Sequence, residues 1–350
     1  MNKYCSARRM RAHYGTDKVR YAGAEKGQKA TNAIQSFGKK LKKAALAAAI
    51  FALAAMAAAI IARPEKYIAK CAEGIALWAQ CVLPALLPFM VICALMLNSG
   101  AADKVSRPLH GACSALKLPG CAAACLVMGA ASGYPAGSRM VYGFYAAGLT
   151  DGYGAKKLAY MCSLCGPLFT MGTVGGMFGY GGHGAKLYAA HIVAVLVPAI
   201  IFSLAGKKCN APAPDLKRSG NLLEESFYGA VQSALTAGAF IVFFYTAAAI
   251  AQDFYILYPF ERLFNLFMDE GAAQAAAYGL IEMTGGCAAL VKSGSALALP
   301  LCGFTITFGG ASVLLQQLTY LTKAGVRPLK FIGMKLLQAV LCLFILLAIG

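Results

Sequence analysis

Four short stretches of this chain place glycine, proline and hydroxyl residues inside otherwise apolar sequence. The stretches span residues 132–137, 163–176, 282–286 and 305–317. Glycine and proline interrupt helical hydrogen bonding, and irregular backbone is tolerated at membrane depth only where it lines a cavity or is buried in protein. These breaks therefore predict binding sites, because helix N-termini suit an anion and unwound carbonyl groups suit a cation or a proton.

Glu282 is the strongest single candidate, because a carboxylate within an apolar run is costly in a membrane. We expect it to bind solute, to carry a proton or cation, or to pair with a buried base, for which Arg139 and Lys292 are candidates. The alternative for each glycine motif is close helix packing without a ligand. The predicted solute-binding residues are Ser132, Gly133, Tyr134, Pro135, Gly137, Gly166, Pro167, Thr173, Glu282, Thr284, Gly285, Gly310, Ser312 and Gln316.

The breaks are paired along the chain. Ser132 and Pro167 are 35 residues apart in the first half, and Glu282 and Ser312 are 30 apart in the second. Interrupted apolar segments at corresponding positions of two halves are typical of transporters whose discontinuous helices meet at the midplane within an inverted repeat.

Composition indicates the elements that hold these breaks. The chain is 59% hydrophobic and 13% charged, whereas a soluble domain is about 25% charged. We therefore predict an all-α, polytopic membrane helix bundle. Residues 98–119 are expected to be an amphipathic interfacial segment. The apolar runs that predict spans are 44–62, 74–97, 118–141, 153–180, 186–204, 226–251, 272–291, 295–321 and 331–349.

Charge predicts orientation and boundaries. Twelve of the 32 basic residues precede position 44, which favours a disordered, cytoplasmic basic arm at 1–43, with a DNA-binding arm as the alternative. A first membrane half follows at 44–206, a basic cytoplasmic linker at 207–225 and a second membrane half at 226–350. Lys335 is assigned with Lys323, Arg327 and Lys330 to the last cytoplasmic loop. The acidic stretch 253–270 is expected outside.

The sequence carries no recognisable catalytic or metal motif. Its thirteen cysteines include a single CxxC, at 162–165, without a second pair. The Gly-x-Ser-x-Gly elbow and the Gly-x-x-x-x-Gly-Lys loop are both missing from the sequence. We therefore expect a protein that is not an enzyme and has no cofactor or metal, with coupling to H⁺ or Na⁺ left open.

Five motifs in order resemble the sporulation integral membrane protein family typified by YlbJ, whose members carry nucleoside-recognition or gate domains. The resemblance covers about residues 45–350 and leaves the basic arm unmatched. One departure is Ser163-Leu-Cys165, which stands where an Asn-rich approach to Gly166 is expected and argues against a cation role there. The motifs are LPALLPF at 83–89, ASGYPAG at 131–137, CGPLF at 165–169 with GTVG at 172–175, EMTG at 282–285 and FGGASVLLQ at 308–316.

The resemblance implies a bacterial membrane protein of late spore maturation with a gate-type fold related to concentrative nucleoside transporters. It further implies export of dipicolinate from the mother cell, which places the protein in the mother-cell or outer forespore membrane. The expected partners are a small polar or anionic solute and the lipid bilayer, without nucleic acid. Assembly into a homo-oligomer is left open. A nucleoside transporter and a non-transporting sporulation assembly factor are the alternative functions.

Overall fold

The computed structural model describes residues 43–179, 181–209 and 221–349. Every regular element in these ranges is helical. Six helical stretches among the described residues are long and apolar enough to cross a membrane. The all-α polytopic membrane bundle predicted from composition is therefore confirmed. The predicted arm, except for Lys43, and the middle of the predicted linker lie outside the described residues.

Helix α1, Lys43–Ala62, follows the predicted first span closely. Its sequence is alanine-rich and has no internal glycine or proline, which favours an uninterrupted helix. Pro64 then opens the next helix, a position that suits proline because its missing N–H has no intrahelical acceptor. By residue contacts the chain divides between Pro64 and Glu65, so α1 belongs to a unit separate from the rest.

A long helical segment, which lies in the second unit except for its first residue, runs antiparallel to a later helix. The segment consists of α2 Pro64–Leu77, a π-helical turn Trp78–Val82 and α3 Leu83–Asn98. Its partner is α11, Leu222–Asp253. Lys66 near the start of α2 pairs with Asp253 at 2.6 Å, and Asn98 at the end of α3 donates to Ser226 at 2.9 Å. These two contacts fix the direction of packing.

The rest of the first half contains the two predicted breaks. The predicted spans 118–141 and 153–180 are each divided, the first at Gly133 and the second at residues 163–167. Short helices occupy the predicted interfacial segment. The elements in order are α4 Ala101–Ser106, a 3-10 turn Arg107–Leu109, α5 His110–Ala115, α6 Ala122–Ser132, α7 Ala136–Ala146, α8 Gly152–Cys162, a π-helical segment Leu168–Val174, α9 Gly175–Met177 and α10 His183–Ala205.

The second half is interrupted in the same way. The predicted spans 272–291 and 295–321 are divided at residues 280–282 and at Gly309. After α11 the elements are α12 Tyr258–Phe264, α13 Glu270–Gly279, α14 Met283–Lys292, α15 Ala298–Phe308, α16 Gly310–Leu321 and α17 Pro328–Ile349.

The assignment of Lys335 to the last cytoplasmic loop is wrong. Lys335 lies within α17, which packs on α15 and α10, and its side chain is fully buried. Its Nζ donates to the carbonyl oxygen of Ser163 at 3.0 Å. One turn later, Gln338 donates to the carbonyls of Tyr160 and Val195. Lys335 and Gln338 thus donate to carbonyls of Ser163 and Tyr160 at the end of α8, where helical carbonyls lack partners, and Gln338 also donates to α10.

Candidate functional site

The two breaks of the first half are in direct backbone contact. Gly133 follows α6 with φ +70°, a conformation that favours glycine. A Cβ at Gly133 would lie 2.4 Å from the backbone nitrogen of Gly166, and one at Gly137 would lie 2.3 Å from the carbonyl oxygen of Cys162. No side chain fits between these two backbone segments, so the breaks can meet only where glycine is present.

The breaks of the second half are joined by hydrogen bonds. The backbone N–H of Ala311 donates to Leu280 O at 2.8 Å, and that of Ser312 donates to Ile281 O at 3.0 Å. Gly310, at φ +60°, approaches closely enough that a Cβ would lie 2.8 Å from Gly279 O. Two N–H groups at the start of α16 are therefore satisfied inside the protein rather than directed at a solute.

Glu282 caps a helix. Its side chain is fully buried, and its two carboxylate oxygens accept from the backbone N–H groups of Thr284 at 3.0 Å and Gly285 at 2.6 Å. Such bonds satisfy orphan donors at the N-terminus of α14 and place negative charge at the positive end of its dipole. Neither expected base pairs with it, since Arg139 contacts α11 and Lys292 is exposed at the other end of α14.

The two pairs of breaks meet at one small cavity of about 30 Å³. Tyr134 reaches across the halves, because its hydroxyl donates to the carbonyl of Ile306 and lies 3.4 Å from the sulfur of Met283. The volume corresponds to roughly one water molecule. Each of the four predicted stretches contributes to the lining, through Tyr134, Gly166, Thr284 and Gln316.

The predicted residues thus divide into four groups. Tyr134, Gly166, Thr284 and Gln316 line this inner cavity, and Ser132 lines a larger cleft described below. Thr173 lies apart, with its hydroxyl donating to Cys81 O at 3.1 Å. The others form the packed breaks around the inner cavity without lining it: Gly133, Pro135, Gly137, Pro167, Glu282, Gly285, Gly310 and Ser312.

A buried polar network surrounds the second break, and two of its members, His191 and Lys335, lie outside the four predicted stretches. The Nε2 atom of His191 accepts from the backbone N–H of Cys165 at 2.9 Å, and its Nδ1 lies 2.9 Å from the hydroxyl oxygen of Thr307. Because Nε2 is an acceptor, the proton of the neutral ring is on Nδ1 and is donated to Thr307. His191 thereby joins the unwound backbone after α8 to α15.

Lys335 and Gln317 complete this network. Besides its bond to Ser163, Lys335 places Nζ 5.6 Å from the ring centroid of Tyr134, a cation–π contact. The Oε1 atom of Gln317 accepts from the hydroxyls of Ser163 and Ser138. A signal for Lys335 was present in the sequence, because helical spacing puts it on one face of α17 with Phe331, Gln338, Cys342 and Leu346. Gln317 lies within the predicted stretch 305–317 but was not among the predicted solute-binding residues, and His191 lies in an apolar helix that gave no such signal.

A cleft of about 850 Å³ opens next to the inner cavity. On α3, Leu86 lines the inner cavity, and Met90, one turn later, lines the cleft. On α11, Ala237 lines the inner cavity, and Ser233, one turn earlier, lines the cleft. Asn98 and Glu225 mark the outer end of the cleft, near the end of α3 and the start of α11. Its volume lies within the range of about 300–1,000 Å³ typical of small-molecule sites.

The chain is similar in sequence to a protein of spore formation. It is 25% identical over 325 residues to the sporulation integral membrane protein YlbJ of Bacillus subtilis (strain 168), a match that covers 81% of this chain and 78% of the relative. The match supports the resemblance drawn from the five motifs and an integral membrane protein of sporulation. No family model and no solved structure matches the chain.

Proposed function

We propose that this protein carries a small anionic solute across a membrane of a sporulating bacterium, and that the solute is dipicolinate leaving the mother cell. The membrane would be that of the mother cell or the outer forespore membrane. In this proposal the protein moves its solute without chemical conversion.

One observation carries the proposal: four breaks that are distant in sequence converge on a single buried cavity. Scattered glycines that serve only close packing have no reason to meet in this way. A midplane site built from paired discontinuous helices is a recurrent feature of secondary transporters. The adjoining cleft supports the proposal further, because it opens beside the start of α11, next to the linker that charge predicts to be cytoplasmic.

The test is uptake of radiolabelled pyridine-2,6-dicarboxylate by liposomes containing the purified protein. We expect uptake above that of empty liposomes and a loss of uptake in Glu282→Gln at unchanged membrane abundance. A glutamine amide has one acceptor oxygen, which can accept from only one of the N–H groups of Thr284 and Gly285. Its NH₂ group would face the other N–H, donor against donor, so the start of α14 is no longer fixed. Glu224→Gln, at an exposed position of α11, is the matched control.

Each other outcome has a definite meaning. Wild-type uptake in Glu282→Gln removes Glu282 from the mechanism. Stronger competition by nucleosides than by aromatic dicarboxylates supports a nucleoside carrier instead. A wild-type protein that moves neither class, and that is recovered with a stable sporulation partner, contradicts transport and supports the assembly factor.

A further inference from the structure

Arg139 lies on the wall of the 850 Å³ cleft, and its charge has no partner carboxylate among the residues that the structure describes. It belongs to α7 and is half-buried. The ion pairs found among the described residues are Lys66–Asp253 and Lys70–Glu73, and neither involves Arg139. Burying a charged side chain is costly unless an opposite charge or hydrogen-bond partners compensate for the lost water. The missing counter-charge therefore points to an anion that enters the cleft.

Two contacts fix the guanidinium in a defined position. Its Nη1 donates to the carbonyl of Gly229 at 2.7 Å and to the hydroxyl of Ser233. Gly229 has no side chain, and a Cβ there would lie 3.4 Å from Nη2, so the guanidinium lies close against the backbone of α11. The contacts hold Arg139 in place before any ligand binds.

The same contacts leave most of the hydrogen-bonding capacity of Arg139 unused. A guanidinium has five N–H donors, and Nη1 uses two of them. The N–H groups on Nε and Nη2 have no partner among the residues that the structure describes. Nε and Nη2 form one edge of the guanidinium, and this edge matches the two oxygens of a carboxylate in a bidentate pair.

The remainder of the cleft fits a small, largely apolar acid. Met90, Met128 and Phe144 contribute apolar surface, and Asn98, Ser132 and Gln232 contribute polar groups. Glu225, the one acidic side chain of the lining, is exposed at the outer end, four residues before Gly229. Its charge is therefore nearer to solvent than that of Arg139.

We propose that Arg139 binds a carboxylate group of the transported solute, and that the cleft is the first binding site on the path to the inner cavity. This proposal rests on the proposed function and deepens it by assigning the ligand class, a small aromatic carboxylate, to a particular side chain. Ser132 connects the two sites, because it lines the cleft and directly precedes the break at Gly133.

Calorimetric titration of the purified protein with pyridine-2,6-dicarboxylate and with the uncharged pyridine-2,6-dicarboxamide tests the site. We expect the wild type to bind the diacid at least about tenfold more tightly than the diamide, since a charge-assisted bidentate pair is among the stronger polar contacts. Arg139→Gln should lose this preference. Arg139→Lys retains the charge without the fork and should keep the preference at reduced affinity.

Ser233→Ala is the matched control, because it removes a partner of Arg139 and leaves the charge. If Arg139 only ties α7 to α11, Ser233→Ala and Arg139→Gln will both lower thermal stability, and neither will change the preference for diacid over diamide; that result overturns the site. If Arg139→Gln does not fold, Arg139→Lys decides. A several-fold loss of affinity confined to the diacid supports the site, and unchanged affinity contradicts it.

Liposome uptake separates a failure of this site from a failure of transport. We expect Arg139→Gln to raise the KM for pyridine-2,6-dicarboxylate while a substantial maximal rate remains. An unchanged KM overturns the role of Arg139 and leaves transport standing. Binding that depends on Arg139 in a wild type that moves no solute supports the site and contradicts the proposed transport.

Discussion

Substitution of Gly133 by alanine probes the backbone contact on which the candidate site is built. Gly133 adopts φ +70° and ψ −170°, a conformation that costs a residue with a Cβ about 1–3 kcal/mol. Its Cβ would also lie 2.4 Å from Gly166 N and 2.9 Å from Gly166 Cα. Because both neighbours are backbone atoms, the overlap adds about 1–3 kcal/mol. We therefore expect Gly133→Ala to destabilise the protein by about 2–6 kcal/mol.

The other side of the same contact should respond differently. A Cβ at Gly166 would meet Ser132 at 3.5 Å and Ala131 at 3.6 Å, ordinary contact distances, and Gly166 is not among the positive-φ glycines. Gly166→Ala should thus change stability by about 1 kcal/mol or less. Gly333→Ala, on the exposed side of α17 with nothing within 4 Å, is the control; it should be neutral or stabilising by about 0.5–1 kcal/mol.

Unfolding of the three purified variants in mixed micelles, followed by loss of helical signal, measures the order. The expected order of stability is Gly333→Ala at or above wild type, Gly166→Ala close to it and Gly133→Ala well below. Equal stability of Gly133→Ala and Gly166→Ala would refute the described packing, because it would mean that the two breaks do not meet backbone to backbone. The inner cavity would then lose its physical basis.

Two further predictions concern the frame around the site. Gln338→Leu removes the amide that donates to Tyr160 and Val195, so we expect a loss of about 1–3 kcal/mol for the buried carbonyls left without this donor, measured by the same unfolding assay; unchanged stability would contradict the contact. Asp269 accepts from the Ser295 hydroxyl and the Ala272 N–H, which lowers the pKa of its carboxyl. The ionised carboxyl therefore stabilises the fold at pH values above the pKa that it has in the unfolded chain. This stabilisation is lost as the pH falls through the lower pKa that it has in the folded protein. Asp269→Asn retains an acceptor at the N-cap. Between pH 6 and pH 3 its melting temperature should fall less than that of the wild type. An equal fall in both proteins would mean that Asp269 does not cause the acid sensitivity.

Local chemistry made the breaks predictable. Glycine and proline weaken a helix, so residue type made breaks such as those at Gly133 and Gly309 predictable, although Pro88 and Pro198 stand inside α3 and α10. Hydrophobicity did not distinguish one span from two short consecutive helices, because both give an apolar run of about 20 residues. The predicted spans 118–141 and 295–321 therefore each appear as a broken pair.

Partners across the fold were not predictable in the same way. Glu282 accepts from the backbone, and glutamate is outside the group of common N-cap residues, so its role gave no pattern to recognise. Lys335 was assigned to a loop because a lysine near other basic residues usually reports orientation. Its actual partner, the carbonyl of Ser163, is 172 residues away. Only the packing of α17 against the end of α8 creates that partner.

The sizes of the two cavities constrain how transport would proceed under the proposed function. A solute that fits the cleft of about 850 Å³ cannot enter a cavity of about 30 Å³, so passage requires the breaks to separate. In the second half, separation breaks the hydrogen bonds from Ala311 and Ser312, each worth about 0.5–1.5 kcal/mol net. In the first half, Gly133 and Gly166 meet without interlocked side chains. Backbone contacts of this kind separate without the cavities that interlocked large side chains would leave. The side chain of Tyr134, which reaches across the halves, must in addition release its hydrogen bond to Ile306.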